Sequence, residues 1–241
     1  MPSFDLHQFP TDEKLAQAVA EQWVSELESA TSKPSKPYCV ALSGGRIAKR
    51  FSSAAASLGK TRASLFTSVH FYWGDERCVP PTDPESNFAL AQQLLLEPLG
   101  IPQNQIHRIR GENPPESAAA IAEAEIKQRA PLTPEGQPVL DLIFLGMGED
   151  GHVASLFPGE SEEAMQSSAI FRPVVAVKPP PNRITIGYSA IAAAHQVWVL
   201  ASGTGKEAAL RESLAPEGKT PLARVIRLRA HTKIYTDIVV K

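Results

Sequence analysis

Asp150 and His152 stand two residues apart in GMGEDGH, a glycine-rich stretch that follows the apolar run LIFL. Histidine changes charge near neutral pH, and a neighbouring carboxylate can fix its tautomer, so the pair suits general acid–base chemistry. Gly146, Gly148 and Gly151 give the turn the backbone freedom and open space that a reacting ligand needs. Three further stretches offer groups for an anion. Ser43, Gly44, Gly45 and Arg46 supply a hydroxyl, backbone N–H groups and a cation ahead of an amphipathic segment. On local sequence they read equally as a phosphate cradle at a helix N-terminus or as an ordinary βα turn. GDER contributes Asp75, Glu76 and Arg77 at the head of a long proline-rich connection. SGTGK puts Lys206 in the first turn of a helix, where a positive charge opposes the helix dipole unless an anion offsets it; a solvated surface lysine is the other reading. Arg183 opens a strand after a proline run and carries no message alone. The reading these groups share is a phosphorylated small molecule undergoing acid–base chemistry.

Other chemistries fit less well. GMGEDG matches the GxGxxG fingerprint of dinucleotide-binding proteins. However, His152 and Pro158 interrupt the helix that should follow, and no strand ending in Asp or Glu stands about 20 residues further on. No GxSxG elbow presents a nucleophilic serine. His7, His70, His107, His195 and His231 lack the setting of His152, and no two of them have metal-ligand spacing, so a metal is not expected. Cys39 and Cys78 are too few for a disulfide framework and are read as packing residues.

The elements that must hold these groups follow from periodicity. A helix is expected over Asp12–Ala30, capped by Thr11, with Leu15, Ala18, Val19, Gln22, Trp23 and Leu27 on one face. The loop TSKPSKP, broken by Pro34 and Pro37, leads to a strand at Tyr38–Leu42 and a helix to about Leu58. Further strands are expected at Ser68–Trp73, Gln105–Ile109, Asp141–Leu145, within PVVAVK and RITIGY, at Val197–Ala201 and at Lys233–Val239. Helices are expected over Ser86–Glu97, from Pro114 or Pro115 to Ala130, over Ser189–His195 and after SGTGK. Strands alternating with helices predict one α/β domain spanning residues 1–241: a three-layer αβα, doubly wound, mostly parallel, Rossmann-like sheet. Ligands bind such sheets beyond the strand carboxyl ends, where all four loaded turns fall.

The chain of 241 residues is 43% hydrophobic and 21% charged, with a formal net charge of −2. No basic stripe suggests nucleic acid or an anionic membrane as partner. The segment MPSFDLHQFPTDEK does not read as a secretory signal, and no run approaches the roughly 18 apolar residues of a membrane span. A cytoplasmic monomer or weak homo-oligomer is expected.

GMGEDGHVASLFPG, with WGDERCVPPTDPESN before it and RITIGYSAI and GTGKEAAL after it, closely resembles the 6-phosphogluconolactonases of the pentose phosphate pathway. The resemblance covers nearly the whole chain in order and spacing. It implies hydrolysis of 6-phospho-D-glucono-1,5-lactone, a small sugar-phosphate substrate, without metal or cofactor. It implies that His152 is the catalytic base, with Asp150 or Asp75 orienting the imidazole or the water, and that Arg77, Arg183, Lys206 and the Ser43–Gly44–Gly45 turn hold the phosphate. The family more often reads SGGSTP, so Arg46 stands where a hydroxyl is usual, either adding charge or facing solvent. The related glucosamine-6-phosphate deaminases resemble GHIAFNEP where this chain has GHVASLFP, so their acidic residue aligns with Phe157. A non-catalytic sugar-phosphate sensor is the remaining alternative; it would call for an attached helix-turn-helix, and none is read before Tyr38.

Overall fold

The computed structural model describes residues 3–31 and 36–240; within the expected TSKPSKP loop, residues 32–35, including Pro34, lie outside the described residues. In chain order the elements are β1 (Ser3–Gln8), α1 (Asp12–Thr31), β2 (Tyr38–Leu42), α2 (Arg46–Gly59), β3 (Val69–Trp73), β4 (Asp75–Arg77), α3 (Asn87–Ala91) and α4 (Pro115–Arg129). They continue as β5 (Leu142–Gly146), α5 (Glu162–Gln166), β6 (Phe171–Val175), β7 (Asn182–Ile186), α6 (Tyr188–Ala193), β8 (Gln196–Ala201), α7 (Glu207–Leu214), α8 (Pro221–Leu228) and β9 (His231–Thr236). A six-stranded sheet runs β1-β9-β8-β5-β2-β3, and every pairing in it is parallel. Helices cover both of its faces, as the alternating pattern requires.

Strands buried on both faces read as continuous apolar runs, and LIFL of β5 is buried at every position. Its register against β2 is pinned at the entry, where the Cys39 N–H donates to Asp141 Oδ2 at 2.7 Å. On one face α1 and α2 bury an aromatic cluster. Trp23 lies 5.6 Å from Phe51 and 5.7 Å from Phe144 between ring centroids, and Phe51 lies 4.5 Å from Phe144. Such pairs add about 0.5–1.5 kcal/mol each beyond burial. The Lys14 N–H donates to Thr11 Oγ1 at 3.3 Å, the cap expected for α1. Cys39 is buried in the core and Cys78 is partly buried against it.

Several elements depart from the sequence reading. Edge strand β1 was not anticipated, because SFDLHQ is mostly exposed and carries no apolar run; it is fixed by parallel pairing from Ser3↔His231 to Gln8↔Thr236. Helix α8 also went unread, although Thr220 caps it by accepting from the Ala223 N–H at 3.1 Å and Pro221 occupies its first turn. The strand expected at Gln105–Ile109 is a short 3₁₀ turn at Gln103–Gln105 followed by a single bridge from Ile106 to Phe71. Gln105 Nε2 donates to the carbonyl of Phe66 at 2.8 Å, a tie that a continuing strand would break. The last strand ends at Thr236, whose Oγ1 accepts from the Ile238 N–H at 2.9 Å and turns the chain. Asp75–Arg77, taken as loop, forms β4 of a separate three-stranded antiparallel sheet, β4-β7-β6. PVVAVK and RITIGY fall in that sheet rather than in the parallel one. Among the described residues, no helix is long and apolar enough to cross a membrane.

Candidate active site

Four strand ends deliver the candidate groups to one cavity of about 210 Å³. Eleven of the thirteen expected site residues line it: Ser43, Gly44, Gly45, Arg46, Asp75, Arg77, Gly146, Gly148, His152, Arg183 and Lys206. Asp150, the partner of His152, lines the neighbouring cavity instead, and Gly151 is buried against Thr220.

The turn after β5 doubles back on itself. The Gly148 N–H donates to the carbonyl of His152 at 2.9 Å, and the Gly151 N–H donates to the carbonyl of Gly148 at 3.1 Å. A Cβ on Gly148 would lie 2.1 Å from the His152 ring, so only glycine lets the imidazole fold over this backbone. Gly151 has φ +77°, a left-handed conformation that side chains disfavour. Ala154, with φ 50°, shares that region without being glycine, and it is held by bridges from Val153 to Met147 and to Leu156. No long helix follows this turn, as a dinucleotide site would need; α5 is a five-residue helix.

His152 Nδ1 lies 2.6 Å from Asp150 Oδ1, which also accepts from the His152 N–H at 3.2 Å. This contact fixes Nδ1 as the protonated nitrogen of a neutral ring and leaves Nε2 as a proton acceptor. Burial opposes ionisation of Asp150, but the electrostatic interaction and hydrogen bonds with His152 outweigh it and hold the carboxyl below its ordinary value. Asp75 occupies a different place. Its Oδ2 accepts from Ser155 Oγ at 2.7 Å and its Oδ1 from Asn87 Nδ2 at 3.1 Å, so Ser155 and Asn87 orient it toward the cavity floor. Glu76 turns away and caps α3, accepting from the backbone N–H groups of Arg77, Asn87 and Phe88 at 2.7–2.8 Å and from Ser86 Oγ at 3.0 Å.

The cations complete the cavity lining. Gly45, with φ +92°, precedes α2 without a side-chain cap, so the first N–H groups of that helix are open to a ligand. Ser43 Oγ accepts from the Gly146 N–H at 3.2 Å and ties this turn to the one carrying His152. Lys206 precedes α7, and its Nζ donates to the carbonyl of Met147 at 2.5 Å. Burial, then the nearby Arg46, push the Lys206 ammonium below its ordinary range. Arg46 reaches across to the same turn: a Cβ on Gly203 would meet its guanidinium at 2.1 Å. Arg183, in β7, stands opposite Arg77, in β4, and is only 7% exposed. Its Nε and Nη2 donate to the carbonyls of Pro180 and Lys178. Burial first, then Arg77, lower its affinity for a proton. Among the described residues, no carboxylate lies within ion-pair distance of Arg46, Arg183 or Lys206.

Residues the sequence reading missed are Asn87, Met147, Ser155 and Ser202. Asn87 sits against Gly44, where an added Cβ would meet its Oδ1 at 1.8 Å. Ser202 Oγ donates to Asp237 Oδ2 at 3.0 Å and steadies the lysine turn. All four lie inside the stretches PESN, GMGEDGHVAS and SGTGK, but nothing in those stretches singles them out; each matters through a partner distant in sequence. Among the described residues, no cluster of three or more His, Cys, Asp or Glu side chains is suited to a metal ion.

A doubly wound sheet whose carboxyl-end turns set unpaired cations beside a histidine–carboxylate pair defines an α/β protein with a cavity suited to a small anion beside an acid–base group. The family described as glucosamine-6-phosphate isomerases/6-phosphogluconolactonase matches residues 10–235. The chain is 38% identical over 216 residues to the 6-phosphogluconolactonase of Treponema pallidum, covering 86% of this chain and 85% of that one. It is 34% identical over 234 residues to that of Haemophilus influenzae, covering 95% of each. The solved 6-phosphogluconolactonase of Trypanosoma brucei superposes with a TM-score of 0.81 at 26% identity, over 98% of this chain and 96% of that one. The chain belongs to the glucosamine-6-phosphate isomerase/6-phosphogluconolactonase family.

Proposed function

We propose that this chain hydrolyses 6-phospho-D-glucono-1,5-lactone to 6-phospho-D-gluconate. The observation that carries the reading is the meeting, in one cavity, of three cations without carboxylate partners and a histidine whose Nδ1 is held by Asp150. The relatives named 6-phosphogluconolactonase support the same substrate.

The phosphate is held by Arg183, Lys206, Arg77, Arg46 and the N–H groups of the Ser43–Gly45 turn. The lactone ring then lies toward His152. Nε2 takes a proton from water as the water oxygen bonds to C1, and Asp150 stabilises the imidazolium. Collapse of the tetrahedral adduct breaks the bond from C1 to the ring oxygen, and the imidazolium returns its proton to that oxygen. Water supplies all the atoms added, and no redox partner is required. The whole chain serves as one catalytic α/β unit, cytoplasmic and monomeric or weakly associated.

One observation weighs against the amino-sugar isomerisation reading. Position 157 carries an apolar ring packed on His152 at 4.9 Å, where the related deaminases resemble a sequence with a carboxylate. The test is lactone turnover followed by coupled oxidation of the released 6-phosphogluconate. His152→Ala is expected to lower kcat by about 10²–10⁴, the usual contribution of a general base. Retention of near-wild-type kcat, or ammonia release from glucosamine 6-phosphate in place of lactone turnover, would sink the reading.

A further inference from the structure

Beside the cavity described above lies a larger one of about 640 Å³, walled by Phe157, Pro158, Pro173, Val174 and Val177. His152 and Arg183 line both cavities, whereas Phe157 lines only the larger. The ring of Phe157 therefore forms a partition with the two polar side chains. Its centroid is 4.9 Å from that of His152 at an interplanar angle of 50°, and the Arg183 guanidinium carbon stands 5.7 Å from the same centroid. A cation within about 6 Å of an aromatic face is attracted by the ring quadrupole. The hydrogen bonds of the Arg183 side chain go to two backbone carbonyls of the proline-rich segment before β7. Among the described residues, no other ring makes both a ring contact with His152 and a cation–π contact with this guanidinium. His152 hangs on a glycine turn of the parallel sheet, and Arg183 belongs to the antiparallel one.

We infer that Phe157 is a positioning residue that locks the acid–base imidazole and the anion-gripping guanidinium at one fixed separation. The inference rests on the proposed lactone hydrolysis and deepens it. A phosphorylated substrate gripped at one end must present C1 to a water activated at the other, and an error of about 1 Å in such an arrangement can cost on the order of 10²-fold in rate. A leucine at 157 would fill part of the volume but offer Arg183 no π face and His152 no flat surface. A tyrosine would offer both.

The test compares Phe157→Leu and Phe157→Tyr with the wild type, each first shown to melt cooperatively. Phe157→Leu is expected to lower kcat and to raise KM, each by about tenfold, while Phe157→Tyr stays within about threefold of wild type in both. A leucine variant unchanged in either parameter, or a tyrosine variant as impaired as leucine, overturns the inference: the position is then an apolar wall or a simple phosphate determinant. If the wild type turns over no lactone, the functional reading fails separately, and Phe157 is judged by titration with inorganic phosphate. Weaker binding by at least several-fold in Phe157→Leu alone sustains the lock on Arg183. Equal binding by both variants, or none by the wild type, removes it.

Discussion

At the scale of single residues, burial without a counter-charge is the most informative property of this site. Arg183 is 7% exposed, yet it gives its hydrogen bonds to carbonyls and an aromatic face rather than to a carboxylate. Burying a charge is costly unless it is paired, so such a cation is poised for an anion that arrives with the substrate. A charge-assisted hydrogen bond contributes roughly 1.5–3 kcal/mol, and each 1.4 kcal/mol is about tenfold in affinity. Arg183→Ala is accordingly expected to raise KM for the phosphorylated lactone by about 10- to 100-fold, with a much smaller loss in kcat, as read from steady-state kinetics. A fall confined to kcat would assign the guanidinium to the reacting carbonyl instead. Arg46, exposed and placed against Gly203, adds charge to the cavity lining that it shares with Lys206.

At the scale of elements, the site depends on turns that tolerate no side chain. Gly148→Ala would drive a methyl group into the His152 ring, from which a Cβ is only 2.1 Å away. Either the ring or the backbone must shift, and Asp150 loses its 2.6 Å contact in both cases. The expected outcome is a kcat loss comparable to that of His152→Ala, with a melting temperature reduced by only a few degrees. Wild-type turnover by Gly148→Ala would show that the imidazole is not confined by this turn. The segment after β4 depends on Glu76, which is 2% exposed and receives four hydrogen bonds at the start of α3. Burial raises its proton affinity, while these bonds oppose the rise. Glu76→Ala leaves three backbone N–H groups without their acceptor and is expected to cost roughly 3 kcal/mol in denaturant unfolding. A change below about 1 kcal/mol would mean that water replaces the carboxylate.

At the scale of the whole molecule, a polar seam far from the cavity joins the sheet edge to α4. His70 Nδ1 and His107 Nε2 are 2.8 Å apart, and His107 Nδ1 is 2.9 Å from Glu125 Oε1. Tyr72 stacks on His107 at 4.7 Å between ring centroids. Desolvation lowers the proton affinity of both histidines; His107 and Arg129 lower that of His70 further, while Glu125 only partly opposes the effect at His107. The unfolded chain therefore takes up protons near the ordinary value of 6.5 that the folded chain still refuses. Stability is expected to be greatest above that value and to be lost progressively as pH falls through it toward the lower folded values. Melting temperatures recorded between about pH 7.5 and 5 should show this decline, and His107→Gln should flatten it. An unchanged slope in the variant would place the acid sensitivity elsewhere.

How much of this was legible in the chain depends on how local each cause is. Tyr38–Leu42 and the run before Gly146 declare buried parallel strands because both faces are covered and every position must be apolar. The turns carrying Ser43, Asp75, His152 and Lys206 then had to fall at one edge of the sheet, since parallel strands all end on the same side. What the residues could not reveal were relations between distant segments. SFDLHQ becomes β1 only because β9 offers an edge, and DER becomes β4 only because β7 lies beside it. The choice between Asp150 and Asp75 as the partner of His152 was likewise open until packing assigned Asp75 to Ser155 and Asn87, 80 and 12 positions away. Local sequence determined which chemical groups the chain owns and the elements that carry them. The folding of two sheets against one another decided which groups meet, because hydrogen bonds and ring contacts depend on distances in space that spacing along the chain does not encode.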